Sequence, residues 1–171
     1  IARAGASTMS EPLHYRNSLP LGTMLLEYRL ESVLGAGGFG MTYLAHDTHL
    51  DNKVAIKEYL PIELAVRAPN GHIVPVSTGA DYNYKWGLDR FLQEARLLAK
   101  LRHPNIVTVN RYFEENGTAY MVMNYESGAS MSQMLKRAPT PDEGLLTSIL
   151  MSLLEGLHAV HLAGLLHRDI K

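Results

Sequence analysis

The chain has 171 residues, 46% of them hydrophobic and 19% charged, a composition that excludes a disordered chain and points to one ordinary globular domain. A formal net charge of −1 supplies no overall field toward nucleic acid or an anionic membrane surface, so a small-molecule or protein substrate is expected. There is no cysteine, which removes disulfides, thiolate zinc sites and a cysteine nucleophile, and fits a cytoplasmic protein.

Residues 1–24 form an N-terminal arm. It has no apolar core of the signal-peptide kind, and the residues ahead of Met9 read as an upstream remnant. Pro12, Pro20 and Gly22 make its second half extended. Strands are expected over Tyr28–Leu34, Met41–His46 and Lys53–Tyr59, a three-stranded antiparallel meander. Its first turn carries Gly35, Gly37 and Gly40 at the spacing G-x-G-x-x-G, with Gly38 between them. Without side chains in the way, backbone N–H groups of such a turn can approach a phosphate. A bare hairpin with no ligand is the other reading of the loop taken alone. Met41–His46 alternates as a strand, so the loop joins two strands and does not open a helix, against the dinucleotide-binding form of the motif. In the third strand alternation places Ala55 and Lys57 on one face and Val54 and Ile56 on the other. Lys57 would then reach the phosphates of a flat ligand lying on Ala55. The plainer reading is a lysine on an exposed edge.

Pro69-Asn70-Gly71 sits between Leu64–Ala68 and His72–Val76 and predicts a hairpin. After Asp81, Leu88, Phe91, Leu92, Ala95, Leu98 and Leu101 recur at helical spacing, and the helix should end near Arg102-His103-Pro104-Asn105. Glu94 lies at the margin of that stripe, placed either for a solvated pair with Arg90 or for an inward ion pair with Lys57. Ile106–Phe113 and Thr118–Tyr125, joined through Asn116-Gly117, complete a five-stranded sheet carrying one long helix. Residues 127–130 are a flexible connector and Met131–Arg137 a short helix. Thr140-Pro141-Asp142-Glu143 is a capping box that should start a long helix at Pro141, with Leu146, Ile149, Leu150, Leu153, Leu157 and Val160 as its apolar face and Gly164 as its stop. Glu155, His158 and His161 interrupt this leucine-rich stretch, which reads as a core helix and not as a membrane span.

Together these pieces resemble the catalytic domain of eukaryotic-like Ser/Thr protein kinases of bacterial type. Gly35 to Gly40 match the glycine-rich loop, Val54-Ala55-Ile56-Lys57 the lysine strand, and Glu94 the glutamate of helix αC. Leu101 to Val107 match the helix-to-strand link, and His167-Arg168-Asp169-Ile170-Lys171 the start of the catalytic loop. Five motifs in the right order are far more specific than any one alone. The implied fold is α+β and protein-kinase-like. Residues 25–126 would be the N-lobe, a five-stranded antiparallel sheet plus αC with an insertion over 59–86, and residues 127–171 the first helices of an α-helical C-lobe.

The resemblance implies ATP-dependent phosphoryl transfer to Ser/Thr hydroxyls of proteins. Lys57 would hold the α- and β-phosphates, Glu94 would orient Lys57, Asp169 would take the substrate's proton and Lys171 would neutralise the γ-phosphate. Leu34 and Ala55 would roof the adenine pocket, Met123 would guard its back, and backbone groups of Asn124 and Glu126 would bond the adenine edge. Arg168 suggests control through a phosphorylated activation loop. Thr42 stands where the family usually has valine over the adenine, and Asn124 replaces the usual hinge acid. The interval from Lys57 to Glu94 is about twice the family's, and the extra segment is expected to set the position of αC, through packing, a regulatory partner or self-association. No metal ligand is assigned. The family's Mg²⁺ ligands are expected beyond Lys171, so the 171 residues read as a fragment inactive alone, whose apolar helix face is left uncovered. A non-catalytic, pseudokinase-like module that binds nucleotide or a partner is the alternative.

Overall fold

A computed structural model describes residues 17–137 and 142–166. Its main sheet is antiparallel throughout and contains β1 (Met24–Leu25), β2 (Tyr28–Gly37), β3 (Gly40–Asp47), β4 (Asn52–Tyr59), β7 (Val109–Glu115) and β8 (Thr118–Asn124), in the order β1-β2-β3-β4-β8-β7. The sheet thus has six strands where five were expected. The extra strand is two residues long, too short for any alternation to mark it, and turns back on β2 through Leu26 at φ 53°. Lys57 belongs to a central strand, flanked by β3 and β8, so the exposed-edge reading is excluded.

Residues 59–86 contain the expected hairpin, β5 (Ala65–Arg67) paired with β6 (Ile73–Pro75). Asn70 closes its turn by accepting from the His72 N–H, while Gly71 takes up φ 85°. Helix α1 (Thr78–Leu98) starts three residues ahead of Asp81, because the Ser77 hydroxyl accepts from the Ala80 N–H and caps it there. It ends short of Arg102. Strand β7 starts at Val109 and not at Ile106, whose N–H is drawn into a turn on His103. The β7–β8 turn is as predicted: Asn116 at φ 53° and Gly117 at φ 71° are both left-handed, as a tight two-residue hairpin loop requires.

One core lies around this sheet. Leu30, Tyr43, Ile56, Leu60, Tyr120, Met121 and Val122 are fully buried, and Tyr84, Phe91, Leu92 and Ala95 of α1 join the same cluster. Tyr59 stands between α1 and the sheet, with its ring centroid 5.4 Å from Tyr84 and 5.7 Å from Phe91.

Helix α2 (Met131–Arg137) has the predicted bounds. Helix α3 (Glu143–Leu162) is capped by the Asp142 carboxylate, which accepts from the Leu145 N–H; Thr140 and Pro141 of the expected capping box lie outside the described residues. Gly164 ends it at φ 76°, where the N–H groups of Gly164 and Leu165 reach back to the carbonyls of His161 and Val160. The core-helix reading of α3 holds for its periodicity and fails for its burial, since Gly156 is its one buried residue. No described element covers the leucine face. Its length and composition would suffice to cross a membrane, with a mean hydropathy of 1.5.

Candidate active site

The glycine hairpin is the turn between β2 and β3. Gly37 pairs with Gly40 and leaves Gly38 and Phe39 at the tip, where Phe39 is 79% exposed. Gly40 is required at its position: it sits at φ 155°, and a Cβ there would lie 1.9 Å from the Glu58 carbonyl oxygen. Gly35, Gly37 and Gly38 face the opposite situation. No atom lies within 4 Å of where a side chain would start, so a phosphate can approach their backbone from open space.

Cross-strand pairing aligns the predicted residues in two rows. Gly35 pairs with Thr42, Thr42 with Lys57 and Lys57 with Met121; Leu44 pairs with Ala55 and Ala55 with Met123. Residues directly opposite on adjacent strands share a face, so Thr42, Leu44, Ala55, Lys57, Met121 and Met123 form one continuous patch beside the glycine hairpin. Its edges are open: Leu34 is exposed, as are Asn124 and Glu126 beyond the end of the patch. The Asn124 N–H is spent on the Thr108 carbonyl and its side-chain oxygen accepts from Asn110, so an adenine edge would have to use other backbone groups there.

Glu94 is not brought to Lys57. The Lys57 ammonium lies 5.9 Å from the Phe91 ring centroid, and among the described residues no carboxylate stands within salt-bridge reach of it. Helical geometry supplies the reason: Tyr84, Phe91, Leu92 and Ala95 point at the sheet, which leaves Glu94 on the exposed flank. The alternative pair with Arg90 is not formed either, because Arg90 stacks on Trp86 at 5.1 Å and bonds Gln93. Asp169, Lys171 and Arg168 lie outside the described residues. Among the described residues no group of three or more His, Cys, Asp or Glu could hold a metal ion, and none of them is assigned to the Mg²⁺ that the resemblance implies.

Sequence reasoning missed the most heavily bonded polar cluster in the lobe. Glu58, adjacent to Lys57, has none of its surface exposed. Its carboxylate accepts from Tyr43 at 2.9 Å, from Tyr120 at 2.8 Å and from Arg67 at 2.6 Å. Burial, and then the Glu58 charge, push the Tyr43 and Tyr120 hydroxyls well above the usual tyrosine range. Burial works against the charged Arg67, but the Glu58 carboxylate outweighs it and holds that guanidinium above its ordinary pKa. A signal for Glu58 existed in the alternation that puts it on the Val54 and Ile56 face, pointing into the core. Nothing local marked Arg67.

A scan of family models matches the protein kinase domain over residues 28–171. The chain is 34% identical over 144 residues to the Ser/Thr protein kinase pkn2 of Myxococcus xanthus, covering 84% of this chain and 15% of that protein. It is 30% identical over 154 residues to PknA of Mycobacterium tuberculosis, covering 87% and 32%. Among solved structures, the apo form of PpkA-294 matches with a TM-score of 0.83 at 39% identity, over 91% of this chain and 56% of that one. The Mycobacterium tuberculosis PknI kinase domain matches with 0.67 at 26%, over 90% and 55%. The chain thus spans about half or less of the length of these relatives. With the glycine hairpin, the lysine strand and α1 standing in this order and geometry, the chain belongs to the protein kinase domain family.

Proposed function

We propose that these residues are the nucleotide-binding part of a Ser/Thr protein kinase, and that the full-length protein transfers the γ-phosphoryl group of ATP to a protein hydroxyl. The observation that carries this reading is the cross-strand row Gly35, Thr42, Lys57, which sets the ammonium beside the unobstructed glycine turn. In that reading the turn's amides and Lys57 bind the phosphates and spread their charge, while Ala55, Leu44 and Met123 meet the base. The substrate oxygen forms a bond to the γ-phosphorus as the bond to the β-phosphate oxygen breaks. The hydroxyl proton passes to Asp169 and ADP leaves. Glu94 reaches Lys57 only if α1 turns to carry Phe91 off the ammonium.

Phosphate transfer from labelled ATP by the full-length protein tests this. Lys57→Met and Asp169→Asn should each lower the rate by roughly a hundredfold or more. A full-length protein that binds ATP and transfers nothing would instead be the non-catalytic nucleotide-binding module.

A further inference from the structure

Building on the kinase reading, we propose that Glu58 and Arg67 are positioning residues, through which the β5–β6 hairpin holds Lys57 on the nucleotide face and seats the glycine hairpin beside it.

Lys57 and Glu58 are consecutive in β4, so their side chains leave opposite faces of the sheet. A slip of one residue would bury the ammonium and expose the carboxylate. The bonds from Tyr43 on β3 and Tyr120 on β8 tie Glu58 to both neighbouring strands, and Arg67 ties it to the insertion. Arg67 is engaged through all three of its nitrogens. Nη2 pairs with Glu58, Nε donates to the Asn17 carbonyl at 2.8 Å, and Nη1 donates to the Gly71 carbonyl at 2.8 Å. Its side chain is 8% exposed, so the fork is fixed both by direction and by the cost of leaving either charge unpaired.

The backbone of this same segment carries the glycine hairpin. Gly40 packs on the Glu58 carbonyl, and the Leu60 N–H donates to the Phe39 carbonyl at 3.1 Å. A cleft of about 800 Å³, lined by Gly37, Gly40, Met41, Ile62, Val66 and Arg67 among others, separates the glycine turn from the β5–β6 hairpin. The hairpin also leads into α1: the Val76 N–H donates to the Leu64 carbonyl, and the next residue, Ser77, caps the helix. One small insertion therefore touches the lysine strand, the seat of the glycine turn and the start of the helix that faces Lys57.

The test uses the full-length protein with the double variant Glu58→Gln and Arg67→Met, which removes both charges together and leaves an amide to bond the two tyrosines. Steady-state kinetics in ATP and amide hydrogen exchange are read on parent and variant. The expected result is a kcat/KM for ATP lower by on the order of tenfold to a hundredfold, with a raised KM. Exchange across residues 35–42 and 53–59 should also quicken by about tenfold or more. A variant whose melting temperature drops while its kcat/KM and its exchange in those segments stay within about twofold of the parent would overturn the proposal, since a merely structural pair gives that result. Absence of transfer by the parent itself would defeat the kinase reading, and the exchange comparison would still decide the positioning role.

Discussion

The sheet lobe and helix α3 are both built from strongly patterned sequence, yet only one of them has its apolar surface covered. In the lobe, each strand's inward residues meet residues far along the chain, so Tyr43, Ile56, Tyr120 and Val122 lose all contact with water. In α3 apolar residues also recur at helical spacing, but Leu146, Leu150 and Leu153 stay exposed. The helix reaches the lobe chiefly at Asn105, which bonds Glu155 and lies against Gly156. Amphipathic patterning therefore specifies an element and the side it will bury, whereas burial itself depends on a partner.

The same substitution made in both regions sharpens this contrast. In the 171-residue chain, Leu60→Ala in the lobe should cost about 2–5 kcal/mol, and Leu153→Ala on α3 less than about 0.5 kcal/mol, by urea unfolding. Equal losses would mean that α3 has a packed partner after all.

Alkaline titration sets the two regions against each other along a pH axis. Burial raises the pKa of Tyr43, Tyr59, Tyr84 and Tyr120, that of Tyr59 to about 12, and all four belong to the lobe core. Each hydroxyl stays neutral in the fold but ionises near pH 10 once unfolded. Their stabilisation is complete below about pH 10 and is lost as pH rises through the folded values, at roughly 1.4 kcal/mol per pH unit for each group. Near-UV signals of the lobe should collapse over that range. Helical signal from α3 should follow only passively.

The smallest effect compares two helix caps. Ser77→Ala should lower the stability of the lobe by about 1 kcal/mol, whereas Asp142→Ala should fray α3 and leave the lobe's unfolding midpoint in place. Far-UV circular dichroism against urea separates the two.

Much of this molecule was legible beforehand because its signals are local. Asn116-Gly117 forces a tight turn, Gly40 answers a backbone contact, and alternation in β4 puts Ala55 and Lys57 together. What stayed hidden depends on distance in sequence. Glu58 finds Tyr120 across 62 positions and Arg67 finds Asn17 across 50, which no window of neighbouring residues contains. The Glu94 placement fell between the two cases: the stripe correctly put it at a margin, but which flank faces Lys57 was settled by Tyr84 and Phe91 packing on Tyr59. Strand β1 was invisible for a third reason, since two residues carry no period.

The wide span of the Glu58 bonds also bears on how the chain acquires its shape as it is made. Tyr43 and Arg67 flank Glu58 closely in the sequence, but its third donor, Tyr120, emerges 62 residues later, a delay of roughly 3–12 seconds at ordinary rates of synthesis. Until then the carboxylate lacks one of its three protein donors. The turn at Gly117, whose missing side chain leaves room for the Ile73 carbonyl, arrives with the same stretch. β4 therefore gains its second neighbouring strand and Glu58 its last donor together, with the synthesis of β8.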